Sequence, residues 1–73
     1  MRLRDLREDR DLSQHAVAAL LHIRQNTYSQ YETGHRQIPI ALLIELSVFY
    51  GTSVDYLLGL TNETKPYPRS GER

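Results

Sequence analysis

Apolar positions recur along this chain at helical rather than strand spacing, and they divide it into five short segments. The first covers roughly residues 2 to 10, with Leu3 and Leu6 on one face and Arg7 and Arg10 beside them. Acidic and basic residues alternate along the rest of it, a pattern of solvated pairs that adds little stability. The second segment opens at Ser13, whose hydroxyl can accept a backbone N–H and so cap a helix start. It runs to about Leu21, with Val17 and Leu21 four residues apart and the small Ala18 beside that stripe. The third covers about Gln25 to Glu32 and stops at Gly34. Tyr28 and Tyr31 face its core side, and Gln25, Asn26, Ser29 and Gln30 occupy the remaining surface.

After a loop from His35 to Ile38, Pro39 stands where proline suits a helix start. The fourth segment spans about Ile40 to Tyr50, with Ile40, Leu43, Leu46 and Tyr50 at helical spacing and Gly51 as its end. The fifth runs from Ser53, a second capping residue, to Leu58, and Gly59 closes it. Asp55 falls near the positive end of that helix's dipole. The pattern predicts an all-α domain of five helices over residues 1–60. From Thr61 onward the chain has two prolines, one glycine and no aliphatic residue, which predicts a flexible polar tail over 61–73.

A chain of 73 residues makes one small domain. Such a chain buries only about 60% of the surface its unfolded form exposes, so its stability is marginal. It has no cysteine and therefore no disulfide. His15, His22 and His35 lie far apart without ligand spacing, so neither a metal nor another cofactor is expected. Close helix packing or dimerisation remains as the source of stability. The opening residues, MRLRDLREDRDLS, lack the apolar core of a signal peptide. No apolar run approaches the roughly 18 residues that span a bilayer, which predicts a cytoplasmic protein with no membrane partner. No Ser/His/Asp set, paired-carboxylate site or glycine-rich phosphate loop is present, so an enzyme is not expected.

The most informative stretch is LSQHAVAALLHIRQNTYSQYETG, from Leu12 to Gly34. Two short helices joined by a tight turn, with amide side chains crowded at the start of the second, have the form of a helix-turn-helix. The second helix of that motif enters the DNA major groove. From Leu3 to Leu60 the chain resembles the Cro- and repressor-type helix-turn-helix family of bacteria and phages, also called the xenobiotic-response-element family. The resemblance is carried by a loose L-R-x-x-R beginning at Leu6, L-S-Q at Leu12 to Gln14, and Y-E-x-G at Tyr31 to Gly34. G-x-R-x-I-P at Gly34 to Pro39 and S-V-D-Y-L-L-G at Ser53 to Gly59 complete the set.

The resemblance implies a five-helix, lambda-repressor-like domain that binds double-stranded operator DNA, usually as a homodimer. It places Gln25, Asn26, Ser29 and Gln30 against base edges. Glutamine and asparagine suit this role because each can pair with adenine N6 and N7, at about 1–3 kcal/mol of discrimination per good pair. It implies that Gln14 reaches a phosphate while bracing Gln25. It also implies an ion pair of Arg7 with Glu32 that orients the arginine toward the phosphate backbone, with Arg24 and Arg36 as further phosphate contacts. The chain departs from the family's pattern at His22, where a left-handed turn usually takes glycine. It departs again at Arg24, where the third helix usually has a Ser or Thr cap. Leu20, Ala41 and Val48 are apolar where the family often carries charge, and helices 4 and 5 and Leu60 are candidates for a dimer face.

The formal net charge is zero, which counts against DNA binding unless the acids lie behind the binding face. Three functions are compatible with these residues. The first is a nucleoid-associated repressor whose two recognition helices, about 34 Å apart, read an inverted repeat. The second is an antitoxin that also binds a toxin protein. The third is an interaction module without DNA binding.

Overall fold

A computed structural model of the protein describes residues 1–67. Those residues form five helices, α1 (Leu3–Asp9), α2 (Gln14–Leu20), α3 (Gln25–Thr33), α4 (Ile40–Tyr50) and α5 (Val54–Leu58), and contain no strand. The all-α expectation holds, with helix ends that shift by at most one residue. The expected tail, 61–73, lies partly outside the described residues, at 68–73.

The helices surround one core of Leu3, Val17, Ala18, Leu21, Tyr28, Tyr31, Ile38, Leu43, Leu46, Tyr50 and Leu57. The small Ala18 lets α2 sit closely against α3, where Tyr28 and Tyr31 supply most of the bulk. Ile40 is a correction to the sequence pattern. It is 73% exposed, and the inner face of α4 is instead Leu43, Leu46, Ser47 and Tyr50. Nine of the eleven residues of α4 are apolar, so spacing alone cannot tell which of its faces is turned inward.

Four helices end in the same way. The chain turns left-handed one residue past the last helical position in α4 and α5 and two residues past it in α1 and α2, and two backbone N–H groups reach back over the final turn. Glycine does this after α4 and α5, at Gly51 and Gly59. After α1 and α2 the left-handed residues are Asp11, at φ 55°, and His22, at φ 58°. At His22 the bonds are His22 N–H to Ala19 O, 3.1 Å, and Ile23 N–H to Ala18 O, 3.0 Å. That turn sets the angle between α2 and α3.

Both serine caps form. Ser13 Oγ accepts from Ala16 N–H, and Ser53 Oγ accepts from Tyr56 N–H, each at 3.0 Å. Two arginines serve the opposite ends. Arg10 donates to Phe49 O and Tyr50 O, the last carbonyls of α4, at 3.3 and 3.1 Å. Arg2 donates to Tyr56 O in α5 and to Thr61 O beyond it, both at 2.7 Å, and to Asn62 Oδ1 at 2.9 Å. Cations at helix C-termini oppose the negative end of the dipole, so these contacts pin α1 to α4 and α5. Further on, the Tyr67 hydroxyl donates to Asp55.

The left-handed backbone at His22 strains a residue with a Cβ by roughly 1 kcal/mol. His22→Gly should therefore raise stability by up to about 1 kcal/mol, which in a domain this small raises Tm by roughly 4–8 °C. Thermal unfolding by circular dichroism checks this. A variant no more stable than wild type would mean that the imidazole makes a stabilising contact of its own.

Candidate nucleic-acid interface

The candidate reading surface is the outer side of α3. Tyr28 and Tyr31 are buried and fix the rotation of this helix. With that face inward, Gln25, Asn26 and Gln30 are exposed and Ser29 is half-buried. Asn26, Ser29, Gln30 and Thr33 stand at i, i+3, i+4 and i+7, which makes a single polar stripe on the helix. Arg24 precedes the stripe in extended conformation, and its side chain makes no capping bond. Gly34 ends the helix at φ 83°, where a left-handed turn sends the chain into the loop that carries His35 and Arg36.

A buried carboxylate holds α3 in place from beneath. Arg7 Nε donates to Glu32 Oε2 at 2.7 Å and Nη2 donates to Oε1 at 3.3 Å. Arg7 Nη1 donates to Leu12 O at 2.8 Å, which ties the same guanidinium to the chain before α2. Gln14 Nε2, at the start of α2, donates to Glu32 Oε1 at 3.0 Å. The side chains of Arg7 and Glu32 are only 11% and 3% exposed. Burial pushes the Glu32 carboxyl up, but the hydrogen bonds from Arg7 and Gln14, the neighbouring Tyr28 hydroxyl and the Arg7 charge outweigh it and hold the carboxyl below its ordinary value of 4.5. Burial, with Glu32 adding to it, pushes the Tyr28 hydroxyl well above the usual tyrosine range.

The structure therefore brings Arg7, Gln14 and Glu32 together at the junction of α1, α2 and α3. Gln14 braces Glu32, at the far end of α3, and makes no hydrogen bond to Gln25. Arg7 spends most of its donors inward. The clustered Gln25, Asn26, Ser29 and Gln30 lie on the outer side of the same helix, with Arg24 and Arg36 at its two ends.

The distribution of charge resolves the balance of zero. Among the described residues Arg2, Arg7 and Arg10 are engaged in holding helices together, and Arg4 pairs with Glu8 across one turn of α1 at 3.4 Å. Arg24 and Arg36 are the two described arginines whose side chains make neither a hydrogen bond nor an ion pair. From Leu12 to Ile44 the one acidic residue is Glu32, and it is buried and paired. Among the described residues the remaining acids are Asp5, Glu8 and Asp9 on α1, Asp11 after it, Glu45 on α4, Asp55 on α5 and Glu63, so the segment that carries α2, α3 and the loop after α3 has no unpaired acid. Thr33 and His35 extend the polar stripe, and sequence spacing did not single them out. Their signal was the i+3 relation of Thr33 to Gln30.

The Glu32 contacts set a pH dependence. The folded carboxyl titrates below its unfolded counterpart, so the stabilisation is complete above about pH 4.5 and is lost as the pH falls through the folded value. Glu32→Gln leaves the Arg7 cation without its partner and should cost about 3 kcal/mol at pH 7. The gap between wild type and variant should narrow below pH 4.5. Urea unfolding from pH 7 to pH 3 measures it, and a constant gap across that range would contradict the assigned interaction.

Comparison with known proteins agrees with this geometry. The helix-turn-helix family model HTH_3 matches residues 3–57. Among similar proteins, YobD of Bacillus subtilis, an uncharacterized HTH-type transcriptional regulator, is 37% identical over 65 residues, covering 89% of this chain and 58% of its own. The HTH-type transcriptional regulator AnsR of the same organism is 34% identical over 71 residues, covering 97% of this chain and 61% of its own. RstR of Vibrio cholerae, a cryptic phage CTXphi transcriptional repressor, is 37% identical over 57 residues, covering 78% of this chain and 51% of its own. The chain thus spans between half and about three-fifths of the length of these relatives. No solved structure matches it. With the matched region covering all of α1 to α4 and nearly all of α5, the chain belongs to the helix-turn-helix family, of the Cro and repressor type.

Proposed function

We propose that this protein is a sequence-specific regulator of transcription, a repressor that binds double-stranded DNA in the cytoplasm through α3. The observation that carries the proposal is the stripe of exposed amides on α3, flanked by the unengaged Arg24 and Arg36 and free of exposed acid. Gln25, Asn26, Ser29 and Gln30 read base edges. Since α3 carries no Lys or Arg, its direct contacts favour adenine over guanine, which is the base that cationic side chains read. Arg24 and Arg36 contact phosphates and carry no sequence information. Arg7 and Gln14 act mainly by fixing α3 through Glu32, and each has an N–H that these bonds leave unused.

A homodimer on an inverted repeat suits a domain this small. Ile40, Ile44 and Val48 form an exposed ridge on α4, 51–73% exposed, with Leu20 and Phe49 beside it. A helix apolar on all sides calls for cover on all sides. A second copy, related by a two-fold axis, supplies that cover with the same ridge.

Selection from random duplexes tests the proposal. Wild type should enrich an inverted repeat with adenine-containing half-sites, and the Gln25→Ala, Gln30→Ala double variant should lose that enrichment. Each lost amide pair should cost about 1–3 kcal/mol, or roughly fivefold to more than a hundredfold in affinity. Enrichment of a lone half-site would rule out the two-fold arrangement. No enrichment with wild type, even at low salt, would rule out the repressor.

A further inference from the structure

We propose that His35 is a further phosphate contact of this interface, held in place by Thr33, and that it makes DNA affinity rise as the pH falls. The inference rests on the DNA-binding function proposed above and concerns how that same site is tuned.

The contact that motivates it lies just past α3. Thr33 Oγ1 and His35 Nδ1 are 2.8 Å apart, and Thr33 Oγ1 is also 3.3 Å from Gln30 O. Arg36 N–H donates to the same carbonyl at 3.3 Å, so the loop is folded back over the last turn of the helix. Thr33 lies three residues beyond Gln30 on the polar stripe. The imidazole bound to it therefore stands at the C-terminal end of the reading surface, beside Arg36. Both Thr33 and His35 are exposed.

The hydroxyl has one proton and two possible acceptors. When imidazole is neutral, Thr33 can donate to Nδ1, which leaves Nε2 of this exposed ring carrying the hydrogen. When imidazole is protonated, Nδ1–H donates to Thr33 Oγ1, the hydroxyl donates to Gln30 O, and Nε2 keeps its hydrogen. Thr33 thus holds the ring in one orientation in both states, and in both Nε2 is a donor. Only the charge changes.

Phosphate oxygens are acceptors that favour the charged donor. The end of α3 gives a second reason. A helix C-terminus carries partial negative charge and repels phosphate unless cations stand there. Arg36 is one cation, and protonated His35 is the other. The ring meets the Thr33 hydroxyl, which also reaches Gln30 O, and Arg36 is the next residue in the loop. α4 brings no charged residue before Glu45, and Glu32 is committed to Arg7. A phosphate placed there stabilises the imidazolium, so binding takes up a proton and affinity increases as the pH falls.

The experiment is fluorescence anisotropy with a labelled duplex carrying the repeat enriched by wild type, at fixed ionic strength, at pH 5.5 and pH 8. The proteins are wild type, His35→Gln, Thr33→Val and, as comparators, His15→Gln and His22→Gln. Wild type should bind about threefold to tenfold more tightly at the lower pH, the size of one charge-assisted contact. That ratio should fall close to one in His35→Gln, fall part of the way in Thr33→Val, and persist in both comparators. An unchanged ratio in His35→Gln, or a ratio near one in wild type, overturns the assignment while leaving the DNA-binding function intact. Wild type that binds no duplex at either pH overturns both.

Discussion

One buried carboxylate holds the working part of this molecule together. Glu32 stands near the end of α3, yet its partners come from α1 and from the first residue of α2. Burying it would be unfavourable alone, because a desolvated carboxylate without partners costs several kcal/mol. Arg7 supplies a charge and two hydrogen bonds, Gln14 a third bond, and Arg7 continues to Leu12 O. Three helices meet on two oxygen atoms. A small chain without a disulfide gains from such a junction what a large core would otherwise provide.

The same junction shows where the charges of an electrically balanced chain are spent. Electrostatics here is a matter of allocation. Arginines that meet carbonyls at the ends of α4 and α5, or the Glu32 carboxylate, are consumed by the fold. Those that remain unengaged stand at the two ends of α3. The buried tyrosines of α3 and the Glu32 bonds act from one side of the helix, and the amides lie on the other. The packed and the exposed sides of α3 are thus separated by helical geometry, so that polar residues on the outer stripe can vary without disturbing the core.

Much of the architecture was legible in the residues. Ser13 and Ser53 cap as their positions suggest, Tyr28 and Tyr31 turn inward, and Gly34, Gly51 and Gly59 close helices. These features depend on neighbours within one or two turns. What spacing misread was either ambiguous or long-range. Ile40 was placed inward because α4 is apolar on nearly every side. Asp11 was not recognised as a left-handed residue, although aspartate tolerates that conformation better than most. The roles of Arg2 and Arg10 depend on carbonyls 39 to 59 residues away, which no local pattern can show. The resemblance implied Gln14 against Gln25, and its bond to Glu32, 18 residues away, is likewise long-range. The exposed amides of α3 were legible because residue type and position alone define them, whereas the Thr33–His35 contact appears only once the chain turns at Gly34.

The central claim is that a rigidly held α3 presents its outer amides to DNA. Side-chain amide resonances of ¹⁵N-labelled protein, followed during titration with a duplex carrying the enriched repeat, test it most directly. The account predicts that the signals of Gln25, Asn26 and Gln30 shift strongly and saturate together. The Gln14 amide, already bonded to Glu32, should move little. Shifts confined to α4 and α5, with the α3 amides unmoved, would contradict it.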